Sequence, residues 1–442
     1  MPSKGHLLRV LGVGFGVAVS LGSTVGAGIL RTPGAVAAHL RSVPLIMLAW
    51  IAGGFCAIVC TLSVSELATM LPFEGGWYVY ARRAFGGYGG FFAGYSDWLV
   101  QVVTLSYVAT AAGEFVVALV PKFAVNAKIV AIFVLMLLGF LHHVGIRSGS
   151  RVQKLNSLIV GVGLVGFVVA CFAFGHRDSP HAAPPAIHLT PTGLSLVVAF
   201  VIAFQSIIAT YDGWYSAIYF MEEDRDPTRD LPRSALGGVA CSIAIFLLVN
   251  MALLYVLPLP QLASSNVPGA DAAQIIFGKA GQQILLLISL LTVLGVINAT
   301  LLIAPRILFA LGRDGLFFRQ AAEVNVGGTP TRGLLLSVLA ATALILSRSF
   351  EKLIAIQSIL AVVLYVTGFI SLFVLRRREP DLPRPFPVWV YPWTPLVALI
   401  GSLVYLALNI GFDFRNVLLA LAFVALSYPA FLLAMHFRAR EP

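Results

Sequence analysis

Long apolar stretches separated by short polar connections dominate this sequence. Apolar segments of bilayer-spanning length recur twelve times, with centres near residues 19, 53, 102, 133, 163, 207, 245, 296, 339, 363, 400 and 424. An α-helix of about 20 apolar residues matches the hydrocarbon thickness of a bilayer. The pattern therefore predicts an all-α polytopic membrane protein with about twelve transmembrane helices.

Two of these segments contain residues that interrupt a continuous helix. The first includes the run Gly22–Leu30 (GSTVGAGIL), and the sixth includes Tyr211–Trp214 (YDGW). Unpaired backbone groups cost several kcal/mol each in hydrocarbon, so a break is tolerated only where it is buried in protein or lines a wet cavity. Broken helices at matching places in two halves of a chain indicate the substrate site of a secondary transporter. We expect the two breaks to meet at one central site.

Counting the spans predicts the larger organisation. If spans one to five and six to ten form two repeats, the odd number of spans inverts the second repeat relative to the first. The predicted boundaries are about 8–175 for the first repeat, 193–376 for the second and 390–437 for two additional helices, all in one transmembrane domain over residues 1–442.

The polar connections are short, and none is long enough to form a soluble domain. The external connection 175–192 contains four prolines and is expected to be semi-extended. Pro232 is expected in the first turn of the helix that follows the acidic run 222–226. The proline-rich linker 376–395 is expected to be extended.

Charge is scarce and asymmetrically placed. Charged residues make up 11% of the 442 residues and hydrophobic ones 59%. Of the 29 Lys and Arg, 20 fall on the face that carries the N-terminus when the spans are threaded, and 9 fall on the other. That skew follows the positive-inside rule and explains the formal charge of +10 without nucleic-acid binding. We expect a prokaryotic plasma-membrane protein with both termini in the cytoplasm and an uncleaved first span.

Motifs for enzymatic or metal chemistry are missing from the sequence. Its four cysteines, Cys56, Cys60, Cys171 and Cys241, fall inside predicted spans, so no extracellular disulfide or zinc spacing is available. No Walker loop, HExxH or GxSxG motif occurs. We expect no metal or cofactor, no enzymatic activity and no ATP-driven pumping.

The first break offers donors for an anion. Helix N-termini bind carboxylates through free N–H groups and the local dipole. The alternative is that these small residues only let helices pack closely. The candidate substrate-binding residues here are Ser23, Thr24, Val25, Gly26, Ala27 and Gly28.

The sixth segment offers acceptors for an ammonium group. Ala209, Thr210 and Tyr211 end a half-helix whose carbonyls would face the cavity, and Asp212 and Gly213 form the break. The next two aromatic residues either wall the pocket or pack between spans. These two candidates are Trp214 and Tyr215.

Ionisable residues within spans are functional candidates by default. Asp212 is the strongest candidate for coupling or gating. Glu66 and Asp97 lie toward the inner ends of their spans and are expected to pair with Arg82, Arg83 or another basic residue, whereas Glu114 is expected to be partly wet. The pair His142 and His143 is expected at the membrane interface, where a pH-sensing role lacks a partner.

Several segments resemble a known family. GSTVGAGILRTP at Gly22–Pro33 is similar to the first-helix signature of the amino acid-polyamine-organocation superfamily, and Ser65–Tyr80 is similar to its second-helix pattern. Tyr211–Pro232 resembles the sixth-helix signature of the L-type amino acid transporter branch, and Asn298–Gly315 and Glu379–Pro387 continue the match.

The resemblance implies the LeuT-type fold, with two inverted five-helix repeats, broken helices one and six, and two extra helices. It implies proton-linked uptake or exchange of amino acids by alternating access. By position, the first break would receive the substrate carboxylate, residues 209–211 would meet its amino group, and Asn298 would lie near the site.

Three positions depart from the branch. Ala209 replaces a bulky phenylalanine gate, Tyr215 replaces an asparagine, and Val160 aligns with a lysine that takes the place of a sodium ion in relatives. The segment 120–128 has no cysteine, whereas animal members use one there to join a heavy chain, so no disulfide-linked heavy chain is expected.

The predicted function is a secondary transporter of amino acids, with neutral L-amino acids as the expected substrates. A transporter of amines, polyamines or cationic amino acids is the alternative within the class. A non-transporting sensor of the same fold is the alternative from another class. A passive channel is disfavoured because membrane-depth polar residues are sparse.

Overall fold

The computed structural model describes residues 7–26, 28–120, 126–175, 191–347, 350–412 and 414–438. Within these ranges the regular structure is helical, with sixteen α-helices and two short 3₁₀ turns at Ser216–Phe220 and Arg319–Ala322. In chain order the helices are α1 (Val13–Thr24), α2 (Gly28–Leu40), α3 (Val43–Met70), α4 (Trp77–Leu119), α5 (Ala127–Val144), α6 (Ile146–Phe174), α7 (Gly193–Tyr211), α8 (Pro227–Val256), α9 (Leu259–Ser264), α10 (Pro268–Phe277), α11 (Lys279–Arg313), α12 (Thr331–Ser347), α13 (Phe350–Arg378), α14 (Trp393–Phe412), α15 (Phe414–Ala425) and α16 (Ser427–Arg438).

The helices have the length and apolarity of membrane spans. In the described part of the chain nine are long and apolar enough to cross a bilayer, or ten if the bent pair α1 and α2 is one span. Helix α12 and the segment Trp393–Leu408 of α14 are apolar but shorter. An all-α polytopic membrane protein is thus confirmed, while the count of twelve spans stays a prediction.

Helix packing recurs in matched pairs. Helix α4 packs against α5 and α13, and α11 packs against α12 and α6. Helix α1 packs against α8, and α7 packs against α3. In the two predicted repeats, α3 corresponds to α8, α4 to α11, α5 to α12 and α6 to α13, and the broken helix α1–α2 corresponds to α7. Replacing each helix by its counterpart turns the α4–α5 contact into α11–α12, the α4–α13 contact into α11–α6 and the α1–α8 contact into α7–α3. This pattern supports the two-repeat prediction, whose boundaries stay a prediction.

Small residues bring α1 and α8 into close contact. A Cβ on Gly16 would lie 2.4 Å from Cβ of Ser234, and one on Gly238 would lie 2.5 Å from Cβ of Ser20. Gly16 of α1 and Gly238 of α8 therefore allow the close packing of these two helices.

Two linkers differ from expectation. Helix α8 begins at Pro227 rather than near Pro232, because Pro227 already supplies the fixed φ that suits a first helical turn. Pro232 therefore lies inside α8. The non-helical linker after α13 is shorter than expected, since α13 continues to Arg378 and α14 begins at Trp393. Most of the connection 175–192 lies outside the described residues.

One end of the bundle, here called the arginine-rich face, carries a set of ion pairs. It contains the α3–α4 loop, the end of α11 and the linker between α13 and α14. Its pairs are Arg82 with Asp314, Arg83 with Glu379, Arg313 with Glu222, and both Arg376 and Arg384 with Glu66. Helices α9 and α10 pack against α2 at the other end, here called the opposite face.

Candidate substrate site

The two helix breaks meet in the structure. Helix α1 ends at Thr24 and α2 begins at Gly28, with a bend of 46° between them. Helix α7 ends at Tyr211, and Gly213 follows with φ at +108°. A Cβ on Gly213 would lie 2.7 Å from the carbonyl carbon of Ser23, so the two broken segments approach each other through backbone atoms. Glycine is needed here both for the dihedral and for the contact.

A cavity of about 440 Å³ lies at this meeting point. Its size falls in the range of small-molecule sites. The residues that line it come from six segments of the described chain: α1–α2 (Ser23, Thr24, Gly26, Gly28, Arg31, Thr32), α4 (Gln101, Thr104, Tyr107, Val108, Ala111), the sixth segment (Ser206, Ile208, Ala209, Thr210, Asp212, Gly213, Trp214, Tyr215, Ser216), α11 (Val293, Val296, Thr300, Ile303), α13 (Gln357, Ser358, Ala361, Val362, Tyr365) and α14 (Tyr405).

Hydroxyl groups, more than backbone N–H groups, are free at the first break. The Val25 N–H donates to Leu21 O at 2.7 Å and the Gly26 N–H donates to Thr24 O at 3.0 Å, so neither is a free donor. The side-chain hydroxyls of Ser23 and Thr24 are buried and have no hydrogen-bond partner among the described residues. The first turn of α2, from Gly28 onward, adds N–H groups without intrahelical acceptors.

The end of α7 presents acceptors on the same cavity. The last turn of a helix leaves its carbonyls without intrahelical donors, and this one ends at the cavity wall. The Thr210 hydroxyl donates to Ser206 O at 2.8 Å and pairs with the Thr32 hydroxyl at 2.9 Å. Since the Thr210 proton is already used, Thr32 donates to Thr210. This bond joins α2 to α7.

Asp212 has defined partners within the cavity. Its carboxylate accepts one hydrogen bond from the Tyr365 hydroxyl and another, at 3.1 Å, from the Gln357 amide. Both donors belong to α13. Asp212 therefore ties the break in the sixth segment to α13 while remaining partly exposed to the cavity.

Aromatic side chains close the cavity toward the arginine-rich face. Trp214, Tyr215 and Tyr365 lie with ring centroids 5.3–5.6 Å apart. Trp77 packs behind them, 5.7 Å from Tyr215, and fits over Gly368, where a Cβ would lie 2.2 Å from the indole. Arg31 and Thr32, in contrast, continue the lining along α2 toward the opposite face. The lining therefore extends from the aromatic cluster on one side along α2 on the other.

Some predicted site residues lie elsewhere. Tyr211 points away from the cavity, because its hydroxyl donates to Trp50 O at 3.3 Å and its ring packs 4.8 Å from Phe246. Val25 is buried at 1% exposure and is not a lining residue. Ala27 lies outside the described residues. Val160 is buried in the core of the bundle, on α6.

The predicted ionisable candidates have three different surroundings. Glu66 forms ion pairs with Arg376 and Arg384. Asp97 instead accepts hydrogen bonds from the Tyr219 hydroxyl, at 2.8 and 2.9 Å, and from Gln101, so the expected basic partner was wrong. Glu114 is exposed near the outer end of α4.

Asn298 belongs to a buried network beside the site. Its amide donates to Gln153 Oε1 at 2.7 Å and to Gly149 O at 3.2 Å, and its carbonyl meets His142 Nε2 at 2.9 Å. Gln153 in turn donates to Ala18 O, in α1, at 3.2 Å. Asn298 therefore positions α1 through α6 and does not line the cavity.

His142 was wrongly expected at the interface. It is 2% exposed, because the end of α5 is covered by α6 and α11. Since both Asn298 N–H groups are used on α6, the imidazole is the donor in the His142–Asn298 bond. Neither His142 nor Gln153 could be assigned from sequence, since their partners are more than 130 positions away.

Asn298→Leu should destabilise the protein. The substitution leaves the imidazole N–H and the Gln153 side-chain carbonyl unpaired in the bundle, which costs about 1–3 kcal/mol for each group. We expect a clearly lower thermal midpoint in detergent, measured by tryptophan fluorescence. Asn266→Leu, at an exposed position, is the control and should melt like the wild type. An unchanged midpoint for Asn298→Leu would show that the network contributes little.

Comparison with known proteins identifies the family of the chain. A family profile described as amino acid permease matches residues 11–429. The serine/threonine exchanger SteT of Bacillus subtilis (strain 168) is 25% identical over 404 residues, which cover 90% of each chain.

Mammalian transporters are similar to the chain over comparable lengths. The b(0,+)-type amino acid transporter 1 of Mus musculus is 25% identical, over 90% of this chain and 82% of its own. The Asc-type amino acid transporter 1 of Homo sapiens is 27% identical, over 92% of this chain and 78% of its own.

Proposed function

The chain belongs to the amino acid permease family of the amino acid-polyamine-organocation superfamily and is an amino acid transporter, and we propose that it moves neutral L-amino acids through the site at the two helix breaks. Transport proceeds by alternating access, as uptake or as exchange.

The single observation that carries this proposal is the pair of unpartnered hydroxyls at the first break. Ser23 Oγ and Thr24 Oγ1 are buried, and both residues line the cavity. Buried polar groups without a partner are costly, so a carboxylate that accepts from them is stabilised. The carbonyl end of α7 lies across the cavity and suits the α-ammonium group. The two ends of a zwitterion are thus addressed separately.

The charge of the lining favours a neutral side chain. Among the described lining residues, Arg31 is the basic residue and Asp212 the acidic one. A zwitterion adds no net charge to this balance, whereas a cationic side chain adds an uncompensated one. Asp212 already accepts from Tyr365 and Gln357, so it does not depend on a substrate cation for a partner.

Counterflow in proteoliposomes tests the proposal. Purified protein is reconstituted with one unlabelled amino acid inside, and entry of each labelled standard amino acid is followed. The assay is repeated with and without sodium and a pH gradient. We expect counterflow of neutral L-amino acids and little of lysine or arginine. Failure of every amino acid, with protein intact in the vesicles, would contradict it.

Asp212→Asn separates the neutral substrate from the cationic alternative. The substitution removes the charge while keeping one acceptor for Tyr365, so charge-assisted hydrogen bonds become ordinary ones, a loss of about 1 kcal/mol. We expect KM for neutral substrates to rise about fivefold, with no change in the order of substrate preference. Selective loss of binding for cationic ligands would instead support an amine or cationic amino acid substrate. Glu323→Gln, at the exposed Arg332 pair, is the control.

The proposal extends to location and partners. It places the protein in a prokaryotic plasma membrane with the arginine-rich face in the cytoplasm, supported by the distribution of Lys and Arg and by similarity to a bacterial exchanger. It also holds that the chain works without a disulfide-linked heavy chain, because no cysteine occurs between residues 120 and 128. Activity of the purified chain alone tests the second statement.

A further inference from the structure

A buried cluster of two carboxyls and one guanidinium lies on the arginine-rich side of the aromatic side chains that close the site. Glu223 binds Arg306 in bidentate fashion, with Oε2 2.6 Å from Nε and Oε1 2.9 Å from Nη2. Glu74 approaches the same Nε at 3.1 Å. All three residues are at most 1% exposed. Glu74 belongs to the α3–α4 loop, Glu223 to the segment before α8, and Arg306 to α11.

Arg306 is already engaged by Glu223, which leaves Glu74 as a surplus carboxyl. Its Oε1 has no aligned donor among the described residues, and its Oε2 accepts only the Glu222 N–H, at 3.2 Å. The remaining hydrogen bonds of Arg306 go to Leu302 O and to Glu223.

The surrounding charges do not compensate Glu74. Glu222 lies beside it but pairs with Arg313 at 2.6 Å, and Asp314 pairs with Arg82. The other ionisable neighbour is the neutral phenol of Tyr80, from α4. Four carboxyls thus face three guanidiniums in this part of the arginine-rich face. One proton on Glu74 would balance the set.

The cluster is part of a closed gate. The Glu223 carbonyl accepts the N–H groups of Val10 and Leu11, both at 3.0 Å, just before α1 begins. Phe15 of α1 packs edge-on against Phe220 at 4.9 Å. A path from the cavity to the arginine-rich face therefore requires α1 to separate from the 220–223 segment, which would admit water to Glu74.

We propose that Glu74 is a proton-binding site of this gate, protonated while the gate is closed and ionised when α1 moves away. The inference rests on the proposed function only in taking the opening of this gate as a step of amino acid transport. The ligand is a proton taken up from, and released to, the arginine-rich face.

The direction of the pH effect follows from burial. Burial raises the pKa of Glu74 well above its usual range, the Glu223 carboxylate raises it further, and Arg306 lowers it. The closed gate therefore binds more protons than the open one. Its stability is full below the ordinary glutamate pKa of about 4.3 and is lost as pH rises through the raised pKa. Between the ordinary and the raised pKa of Glu74, the ratio of closed-gate to open-gate protein falls by at most about tenfold per pH unit.

Amide hydrogen exchange tests the proposal without a transport assay. The full-length protein is measured in nanodiscs from pH 6 to pH 8, and rates are corrected for intrinsic base catalysis. We expect protection of the Val10 and Leu11 amides to be at least about fivefold greater at pH 6 than at pH 8. Glu74→Gln, which mimics the protonated carboxyl, should hold high protection at both pH values.

Controls separate a proton site from general destabilisation. Glu323→Gln should retain the wild-type pH dependence, because Glu323 is exposed on the surface. A pH-independent wild type would overturn the proposal even if Glu74→Gln failed to fold. A Glu74→Gln protein with the wild-type slope would overturn it equally. Loss of counterflow, by contrast, would contradict the proposed function and leave the exchange result standing.

Discussion

Gly213→Ala should abolish transport while leaving a folded protein. The substitution requires φ near +108° from a residue with a side chain, and its Cβ would lie 2.7 Å from the Ser23 carbonyl carbon and 2.9 Å from Ser23 Cβ. The nearest obstructing atoms, the carbonyl carbon and oxygen of Ser23, belong to the backbone, so no side-chain rotation relieves the contact. Relief would require the two breaks to separate, which displaces the Ser23 and Thr24 hydroxyls from the α7 carbonyls.

The expected result is at least a hundredfold loss of exchange rate, equivalent to about 2.7 kcal/mol or more. Counterflow of a neutral amino acid measures it. Gly161→Ala is the matched control, because a Cβ at this helical position of α6 would meet no atom of the described residues within 4 Å beyond its own helix backbone. It should transport normally. Wild-type activity in Gly213→Ala would show that the breaks do not need this contact.

Arg306→Met should have the largest effect on stability. Arg306 is 1% exposed, and its guanidinium pairs with Glu223 and lies 4.9 Å from the centroid of the Phe220 ring. Removing one partner of a buried ion pair leaves an uncompensated charge and costs about 3–5 kcal/mol. We expect little monodisperse protein after extraction and a strongly lowered thermal midpoint.

A second substitution distinguishes charge from shape. Arg306→Met combined with Glu223→Gln removes both members of the pair and should recover part of the lost stability, because Glu223 no longer carries an unpaired charge. Arg332→Met breaks the exposed pair with Glu323, in which both side chains are more than half exposed, and should change little. Equal losses for the exposed and buried arginines would contradict the account.

The site was predictable where it depends on local backbone chemistry. Glycine and Asp-Gly within apolar segments mark breaks, and hydrocarbon allows a break only at a protected site, so the approach of Ser23 to Gly213 could be expected from sequence. The pairing of Glu66 with a basic residue at the inner end of its span could be expected on similar grounds. These arguments need only span depth and residue type.

Contacts between distant segments were not predictable. Arg306 lies 232 positions from Glu74 and 83 positions from Glu223 along the sequence, and no periodicity relates them. The internal bonds of Val25 and Gly26 depend on how the chain turns within the break, which small residues leave undetermined. His142 looked interfacial because it ends an apolar run, and only the packing of α6 and α11 buries it.

The Thr32–Thr210 hydroxyl pair has a consequence for transport kinetics. Among the described residues, α2 and α7, the outer halves of the two broken helices, pack together and share this 2.9 Å hydrogen bond, whereas backbone bonds, packed rings and a buried ion cluster join the inner halves. These contacts make the state with joined inner halves the more stable one, so an empty carrier spends more time exposed to the compartment on the other side. Because apparent affinity scales with the population able to bind, half-saturation should occur at a lower amino acid concentration on the side opposite the arginine-rich face.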